Sequence, residues 1–390
     1  MESMETKMAQ SHESRREKLG AVRRIVVKVG TRVLTHEDGR IALSRMFDVV
    51  EALAESRRQG REMLLVTSGA VGMGREALGL EQPVTDLADR QACAAVGQSR
   101  LMELYHGGFS RLGIHCAQVL LTQDDFGHRV RYLNLRAALL ALVRRGVVPI
   151  INENDVVSTV ELAWYEGAKR PIFGDNDCLS ALVAAKLGSD LLVLLTDVDG
   201  LYDRDPHDHA DATLLDRVDD IAHLEAEVSG STSGVGRGGM QSKIEAAAIA
   251  ARSGCDVIIA SGLVPGNLSR ILQGQPIGTW VPARGPLSAR QRWIAFASKP
   301  RGVATLDAGA VCALIERGAS LLPPGVTALE GEFDRGDVLE LRDVDGRLIG
   351  RGMAEVNSST ARRWMKGEIP VGARNHHALV HRDHMVLEEK

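Results

Sequence analysis

Residues Arg24 to Leu34 read RIVVKVGTRVL. Ile25, Val26, Val27 and Val29 are apolar and β-branched, a run of the kind that forms a strand covered on both faces. Lys28 interrupts it. A buried ammonium is costly unless an opposite charge offsets its desolvation. Lys28 therefore either snorkels to solvent from a strand end or has a negative partner, and an anion that visits the site is the partner expected.

Outward from this run, short apolar stretches alternate with helical patterns as far as about Val281. The stretches are IVVKVG, MLLVTSG, CAQVLLT, VVPIIN, DLLVLLTD and DVIIASG, and between them lie segments such as LSRMFDVVEALAESRRQG, where Met46, Val49, Val50 and Leu53 recur at helical spacing. Strands alternating with helices imply an α/β fold, a mainly parallel sheet sandwiched by helices. Such sheets bind ligands beyond the carboxyl ends of their strands. Near Pro282 the texture changes. VPARGPLSARQRW, with Pro282, Gly285 and Pro286, reads as a linker, and short strand-like pieces such as DVLELRD and RLIGRGMAEV follow it. The expected organisation is a flexible N-terminal tail over residues 1–23, a catalytic domain over 24–282, a linker over 283–296 and a small mostly-β domain over 297–384.

Composition sets bounds on this reading. A chain of 390 residues exceeds what one core usually supports. A formal net charge of -4 gives no global attraction to nucleic acid or anionic lipid. Cys93, Cys116, Cys178, Cys255 and Cys312 are widely separated and never spaced C-x-x-C, which disfavours a disulfide framework or a zinc site and fits a reducing compartment. No apolar run approaches a bilayer-spanning length, and the polar N-terminal stretch lacks the apolar centre of a signal peptide. A cytoplasmic location and no membrane partner are expected.

The strand ends carry residues that a structural strand does not need. Lys28, Gly30 and Thr31 follow the first; Thr67, Ser68, Gly69 and Ala70 the second; Asn152, Asn154 and Asp155 the fourth; Thr196 and Asp197 the fifth. FGDND adds Asp175, Asn176 and Asp177, and GVGRGGMQSK places glycines before Lys243. Two lysines and a glycine-rich run at a helix start suit phosphoryl transfer, which is accelerated mainly by positioning and by cations that offset phosphoryl charge. The Walker pattern G-x-x-x-x-G-K-[ST] is absent, which argues against a P-loop enzyme. VHRDHM contains the letters of a protein-kinase catalytic loop but lacks its following asparagine. GMGREA, Gly72 to Ala77, matches a dinucleotide fingerprint, yet the region after it, RQACAAVGQSRLMEL, is helical where that fingerprint wants a strand ending in an acid.

At these residues the sequence resembles the amino acid kinase family, and within it the branch that phosphorylates L-glutamate. The resembling motifs are VVKVGTRVL, VTSGAVGMGRE, AAVGQSRL, INENDVVS, FGDNDCLSALVA, LLTDVDGLYDRDP and GRGGMQSKIEAA, with ERGASLLPPGV in the tail, which resembles a PUA domain. The resemblance implies ATP with Mg²⁺, L-glutamate as acceptor and γ-glutamyl 5-phosphate as product, the first step of proline biosynthesis. It implies that Lys28 and Lys243 contact the ATP phosphates, that Asp175 orients the lysines, and that Thr196, Asp197 and the loop Arg237, Gly238, Gly239, Met240, Gln241, Ser242 and Lys243 hold the nucleotide. Ser68, Asp155 and Asn176 resemble glutamate-binding positions. An α-ammonium wants a carboxylate such as Asp155, and an α-carboxylate wants donors such as Ser68 Oγ and Asn176 Nδ2. No metal ligand is assigned. Proline as a feedback inhibitor and a homo-oligomer follow from the resemblance alone.

Two departures stand out. AWYEGAKRPI, with Trp164, Tyr165, Lys169 and Arg170, lengthens the loop before FGDND, either altering substrate closure or inhibition or lying inert on the surface. Arg237 stands where the family commonly has threonine, for phosphate contact or simple exposure. Other acceptors remain as alternatives: acetylglutamate, aspartate, carbamate or a nucleoside monophosphate. YDRDPHDHADA and HHALVHRDH read as solvated surface rather than metal sites. PUA domains often bind RNA, but charge from Arg290 to Lys390 nearly balances and Phe333 and Trp364 are the only aromatics after Lys299. A regulatory or oligomer-stabilising module is therefore preferred to an RNA-binding one.

Overall fold

The computed structural model describes residues 19–387 except 37–39, 81, 83, 85, 123–124, 127–128, 158–175, 205, 207–208, 210, 222–236, 286–290, 292–293, 295–299 and 369–376. It divides into two compact units, one formed by residues 1–125 and 133–286, the other by 126–132 and 287–390.

In the first unit all six expected strands are present: β1 (Arg24–Val29), β2 (Glu62–Val66), β3 (Cys116–Leu121), β4 (Val148–Glu153), β5 (Leu191–Thr196) and β6 (Asp256–Ser261). With a short β7 (Thr279–Val281) they form one sheet in the order β3-β4-β2-β1-β5-β6-β7, parallel except where β7 runs antiparallel to β6. β1 lies in the middle, so Val26 pairs with Leu64 on one side and Leu192 on the other. Side chains alternate between faces along a strand. Ile25, Val27 and Val29 accordingly join the core cluster that includes Met46, Val50 and Leu53 of helix α1 (Leu43–Arg58), while Val26 and Lys28 face the other side. The lysine thus belongs to the strand's buried face.

Two close helices shape the sheet edge near Ser68. α2 (Ala70–Ala77) and α3 (Leu87–Arg111) touch backbone to backbone. A Cβ on Gly74 would lie 1.8 Å from the Cys93 carbonyl oxygen, and one on Gly97 would lie 1.7 Å from that of Ala70. Gly74 of the GMGREA decoy is therefore a packing glycine inside a helix. α4 (Arg129–Arg144) follows β3. α5 (Asn176–Leu187) is buried along its whole length from Asp177 to Leu187, and α6 (Arg237–Arg252) packs against it. α7 (Asn267–Leu272) adds Leu268 and Ile271 to the α1 side of the core.

The expected tail needs correction at its end. Leu19 and Val22 are packed in the core cluster, and Asp190 Oδ2 accepts from the backbone N–H groups of Arg23 and Arg24 at 2.8 and 2.7 Å. Burial of these two apolar side chains brings the chain into the fold from Leu19. The linker is also shorter than expected. Ala283 N–H donates to Asp256 Oδ1 and Arg284 N–H to the Ala251 carbonyl, each at 2.9 to 3.0 Å, and Ile294 is fully buried with Tyr132 and Val338.

The second unit contains a mixed sheet, β12-β11-β10-β8-β9, from β8 (Gly302–Leu306), β9 (Val326–Gly331), β10 (Val338–Asp343), β11 (Leu348–Ala354) and β12 (Val380–Leu387). Helix α8 (Ala308–Arg317) is N-capped by Asp307 and α9 (Ser358–Met365) by Asn357, each through a side-chain oxygen accepting an orphan N–H. Leu306, Leu314, Leu339, Leu341 and Val380 fill its core. The last strand extends beyond the expected end at residue 384.

The glycine contact yields a test. Gly97→Ala should lower stability by about 2 kcal/mol or more through overpacking. Gly72→Ala, with nothing within 4 Å of the added Cβ, should raise it by about 0.5 kcal/mol or more because alanine favours the helix. Denaturant melts of the two variants measure both.

Candidate active site

β1 and α5 meet at an ion cluster. Asp177, the second residue of α5, is fully buried and lies between two lysines. Lys28 Nζ is 2.6 Å from its Oδ1 and Lys243 Nζ is 3.3 Å from its Oδ2. Ser242 Oγ donates to the same Oδ2 at 3.0 Å, and Lys243 Nζ also donates to the Gly239 carbonyl at 2.9 Å. Lys28 is 4% exposed, so its stem does not snorkel. The question raised by its position is answered first by a resident anion rather than a visiting one, and this corrects the sequence expectation. Among the described residues, Asp177 is the carboxylate that both ammonium groups contact.

The nucleotide-loop residues stand at the start of α6. The helix begins at Arg237, so Gly238 and Gly239 lie in its first turn, and Met240, Gln241, Ser242 and Lys243 continue it. The side chains at 237 and 238 are outside the described residues. Gln241 Nε2 donates to Glu245 Oε1 at 2.9 Å. The run GGMQSK therefore carries Lys243 on a helix whose first turn is small and whose unpaired N–H groups lie at its N-terminus.

One residue before Asp177, Asn176 begins a network of amides. Its Nδ2 donates to the Thr67 carbonyl at 2.9 Å, to Ser68 Oγ at 2.8 Å and to Asn152 Oδ1 at 3.2 Å. Asn152, buried at the end of β4, in turn donates from Nδ2 to Gln98 Oε1 of α3 at 2.9 Å. The Thr67 hydroxyl lies 2.9 Å from that of Tyr105. Burial pushes the Tyr105 phenol well above its usual pKa, against a smaller opposing effect of the Thr67 contact, so it remains a neutral hydroxyl. Asp155 lies half-buried in the turn after β4.

At the end of β5, Thr196 Oγ1 donates to Asp197 Oδ1 at 2.9 Å, and Arg32 Nη1 reaches Asp197 Oδ2 at 2.7 Å. Burial alone would raise the Asp197 carboxyl, but the hydrogen bonds from Arg32 and Thr196 outweigh it and hold it below the usual carboxylate range. Gly30 donates its N–H to the Leu195 carbonyl at 3.2 Å, tying the end of β1 to β5.

The structure thus brings Lys28 and Lys243 together, and separately joins Ser68 to Asn176. Asp175, expected to orient the lysines, lies outside the described residues, as does the insertion containing Trp164, Tyr165, Lys169 and Arg170. The carboxylate found between the lysines is Asp177. The sequence reading names it within FGDND but gives it no role, although its place at the head of a mainly apolar helical run is a usable signal. Asn152 was noted only as a strand-end residue, and Gln98 and Arg32 were passed over. Among the C-terminal histidines, His377 packs its ring 4.7 Å from that of Trp364 and His384 contacts Glu355; His376 is outside the described residues. Among the described residues no group of three or more His, Cys, Asp or Glu side chains gathers to hold a metal, and no helix is long and apolar enough to cross a membrane.

The chain belongs to the amino acid kinase family, whose sequence profile matches residues 23–261, and the profile of the PUA domain matches residues 302–370. Several of its relatives within that class are of one kind. It is 44% identical over 388 residues to the glutamate 5-kinase of Chromohalobacter salexigens, covering 97% of this chain and 100% of that one. It is 43% identical to the glutamate 5-kinase of Moorella thermoacetica (95% and 97% covered) and 46% identical to that of a Synechococcus species (93% and 98% covered).

The ion cluster predicts the outcome of removing its anion. Asp177→Ala removes the carboxylate between the buried Lys28 and the half-buried Lys243 and should cost about 3–5 kcal/mol of stability, read from denaturant melts. Added polyanion such as ATP should raise the melting temperature of the variant more than that of the parent protein.

Proposed function

We propose that this enzyme transfers the γ-phosphoryl group of ATP to the γ-carboxylate of L-glutamate, making γ-glutamyl 5-phosphate for proline biosynthesis. One observation carries the reading beyond family membership. Consecutive residues at the start of α5 hold the two halves of the chemistry: Asp177 gathers the lysines, while Asn176 joins Ser68 and Asn152. A cationic site suited to phosphates therefore lies beside an amide site suited to an amino acid.

The reaction asks little proton chemistry of the protein. The nucleophile is a carboxylate whose ordinary pKa is about 4.3, ionised at neutral pH, so no general base is required. One carboxylate oxygen forms a bond to the γ-phosphorus as the bond from that phosphorus to the β,γ-bridging oxygen breaks, and ADP leaves with the bonding electron pair. The obstacle is the approach of two anions. The ammonium groups of Lys28 and Lys243 lower that repulsion and draw in the phosphoryl oxygens as charge redistributes. Asp177 keeps both ammonium groups in place before ATP arrives, so little reorganisation is left for the reaction itself.

The donors present fit a nucleotide: two ammonium groups, the first turn of a sixteen-residue helix and the hydroxyl of Ser242. Asp197 and Thr196 lie at the adjoining strand end and are assigned to the nucleotide, as are residues 237–243. Mg²⁺ would supply further neutralisation of the phosphate oxygens, and because Asp177 is engaged by both lysines it would be carried chiefly by the triphosphate. Ser68, Asn176 and Asp155 are assigned to glutamate. Proline competing at that site and assembly into a homo-oligomer complete the reading.

A hydroxamate-trapping assay with ATP, Mg²⁺ and a panel of acceptors tests it. Product should depend on L-glutamate, and turnover only with a carbamate or nucleotide acceptor would refute the assignment. Lys243→Ala should lower kcat by about 100-fold or more, whereas Asp155→Ala should raise the KM for glutamate and leave that for ATP nearly unchanged.

A further inference from the structure

The amides at this site are ordered by their chemistry. Asn176 has one NH₂ group with two hydrogens, and three oxygens surround it: the Thr67 carbonyl, Ser68 Oγ and Asn152 Oδ1. Its own Oδ1 is buried and, among the described residues, has no hydrogen-bond partner. A buried orphan acceptor is rare and points to a partner that arrives later. Because Nδ2 is occupied, Asn176 offers an acceptor to a ligand rather than a donor. It therefore suits an α-ammonium group, not the α-carboxylate that the sequence alone suggested.

The Thr67 carbonyl, which can only accept, sets the sense of this amide, and the next amide reinforces it. Asn152 shows Oδ1 to Asn176 because its Nδ2 is bound to Gln98 Oε1. Were Asn152 reversed, its NH₂ would face that of Asn176. Gln98 is 8% exposed and Asn152 2% exposed, so water cannot substitute for either partner at low cost. Gln98 is brought to this place by the tight α2–α3 contact at its neighbour Gly97. Its Nε2 has no hydrogen-bond partner, so its side-chain contribution to the network is acceptance alone.

We infer that Gln98 is a positioning residue for substrate recognition: through Asn152 it fixes the Asn176 amide with its oxygen toward the substrate ammonium. The inference rests on the glutamate reading above and deepens it. Gln98 touches no reacting atom, so its effect is confined to how the amino acid is held.

The test compares Gln98→Met, which keeps bulk but removes the acceptor, with Gln98→Glu, which keeps an acceptor oxygen toward Asn152. Steady-state kinetics give KM for glutamate and for ATP and kcat, and competition gives Ki for glutarate, which is glutamate without its ammonium. For Gln98→Met the glutamate KM should rise about tenfold, while kcat, the ATP KM and the glutarate Ki stay within about twofold. Gln98→Glu should restore the glutamate KM to within about threefold of the parent. Should Gln98→Met fail to fold, Gln98→Ala carries the same expectation. An unchanged glutamate KM, an equal loss for glutarate, or no rescue by Gln98→Glu would each overturn the inference. Absence of glutamate-dependent product in the parent protein would instead refute the functional reading.

Discussion

The first unit is organised around one carboxylate. Asp177 lies fully buried between Lys28 and Lys243 and offsets charge on both. The arrangement ties together three parts of the chain far apart in sequence: the central strand β1, the start of α5 and the second turn of α6. Apart from Asn176 and Lys186, the rest of α5 is apolar or small, which lets it lie inside. The charge at its head is matched on the spot by two opposite charges and a hydroxyl. A buried ion cluster of this kind gives little net stability; it sets where cations stand, which is what a phosphate-handling site needs.

The neighbouring amide network follows a different physical rule. Its members are neutral, so placement costs less, but each has a donor end and an acceptor end, and the sense of one fixes the sense of the next. Gln98, Asn152 and Asn176 come from a helix, a strand end and another helix start. Their alignment depends on α3 approaching α2 closely enough for the backbones to touch at Gly74 and Gly97. Helix packing thereby sets the polarity presented to a small molecule.

Much of the sheet was legible because β1, β2, β4, β5 and β6 are buried on both faces and read as continuous apolar runs, from IVVKVG to DVIIASG. The alternation of strand and helix left few other architectures, and the lysines could be found because charge in such surroundings demands a reason. Pair geometry was less accessible. FGDND offers two aspartates and an asparagine in sequence, and nothing in the letters says that Asp177 turns toward β1 and the lysines; that is settled by where α5 begins. Gln98 was invisible for a related reason, since a glutamine in a helical pattern reads as surface until the helix is placed against β4. Leu19 and Val22 were assigned to the tail because two apolar residues amid charge carry too weak a periodic signal.

That Asn176 and Asp177 are adjacent at a helix start has a bearing on how this chain can change. Both tasks restart together at one rigid point, independent of the length of chain that leads to it. The stretch AWYEGAKRPI could therefore be inserted upstream without displacing either group from the other. Natural variation has room to lengthen, shorten or rewrite that approach while Asn176 and Asp177 keep their adjacent places at the start of the helix.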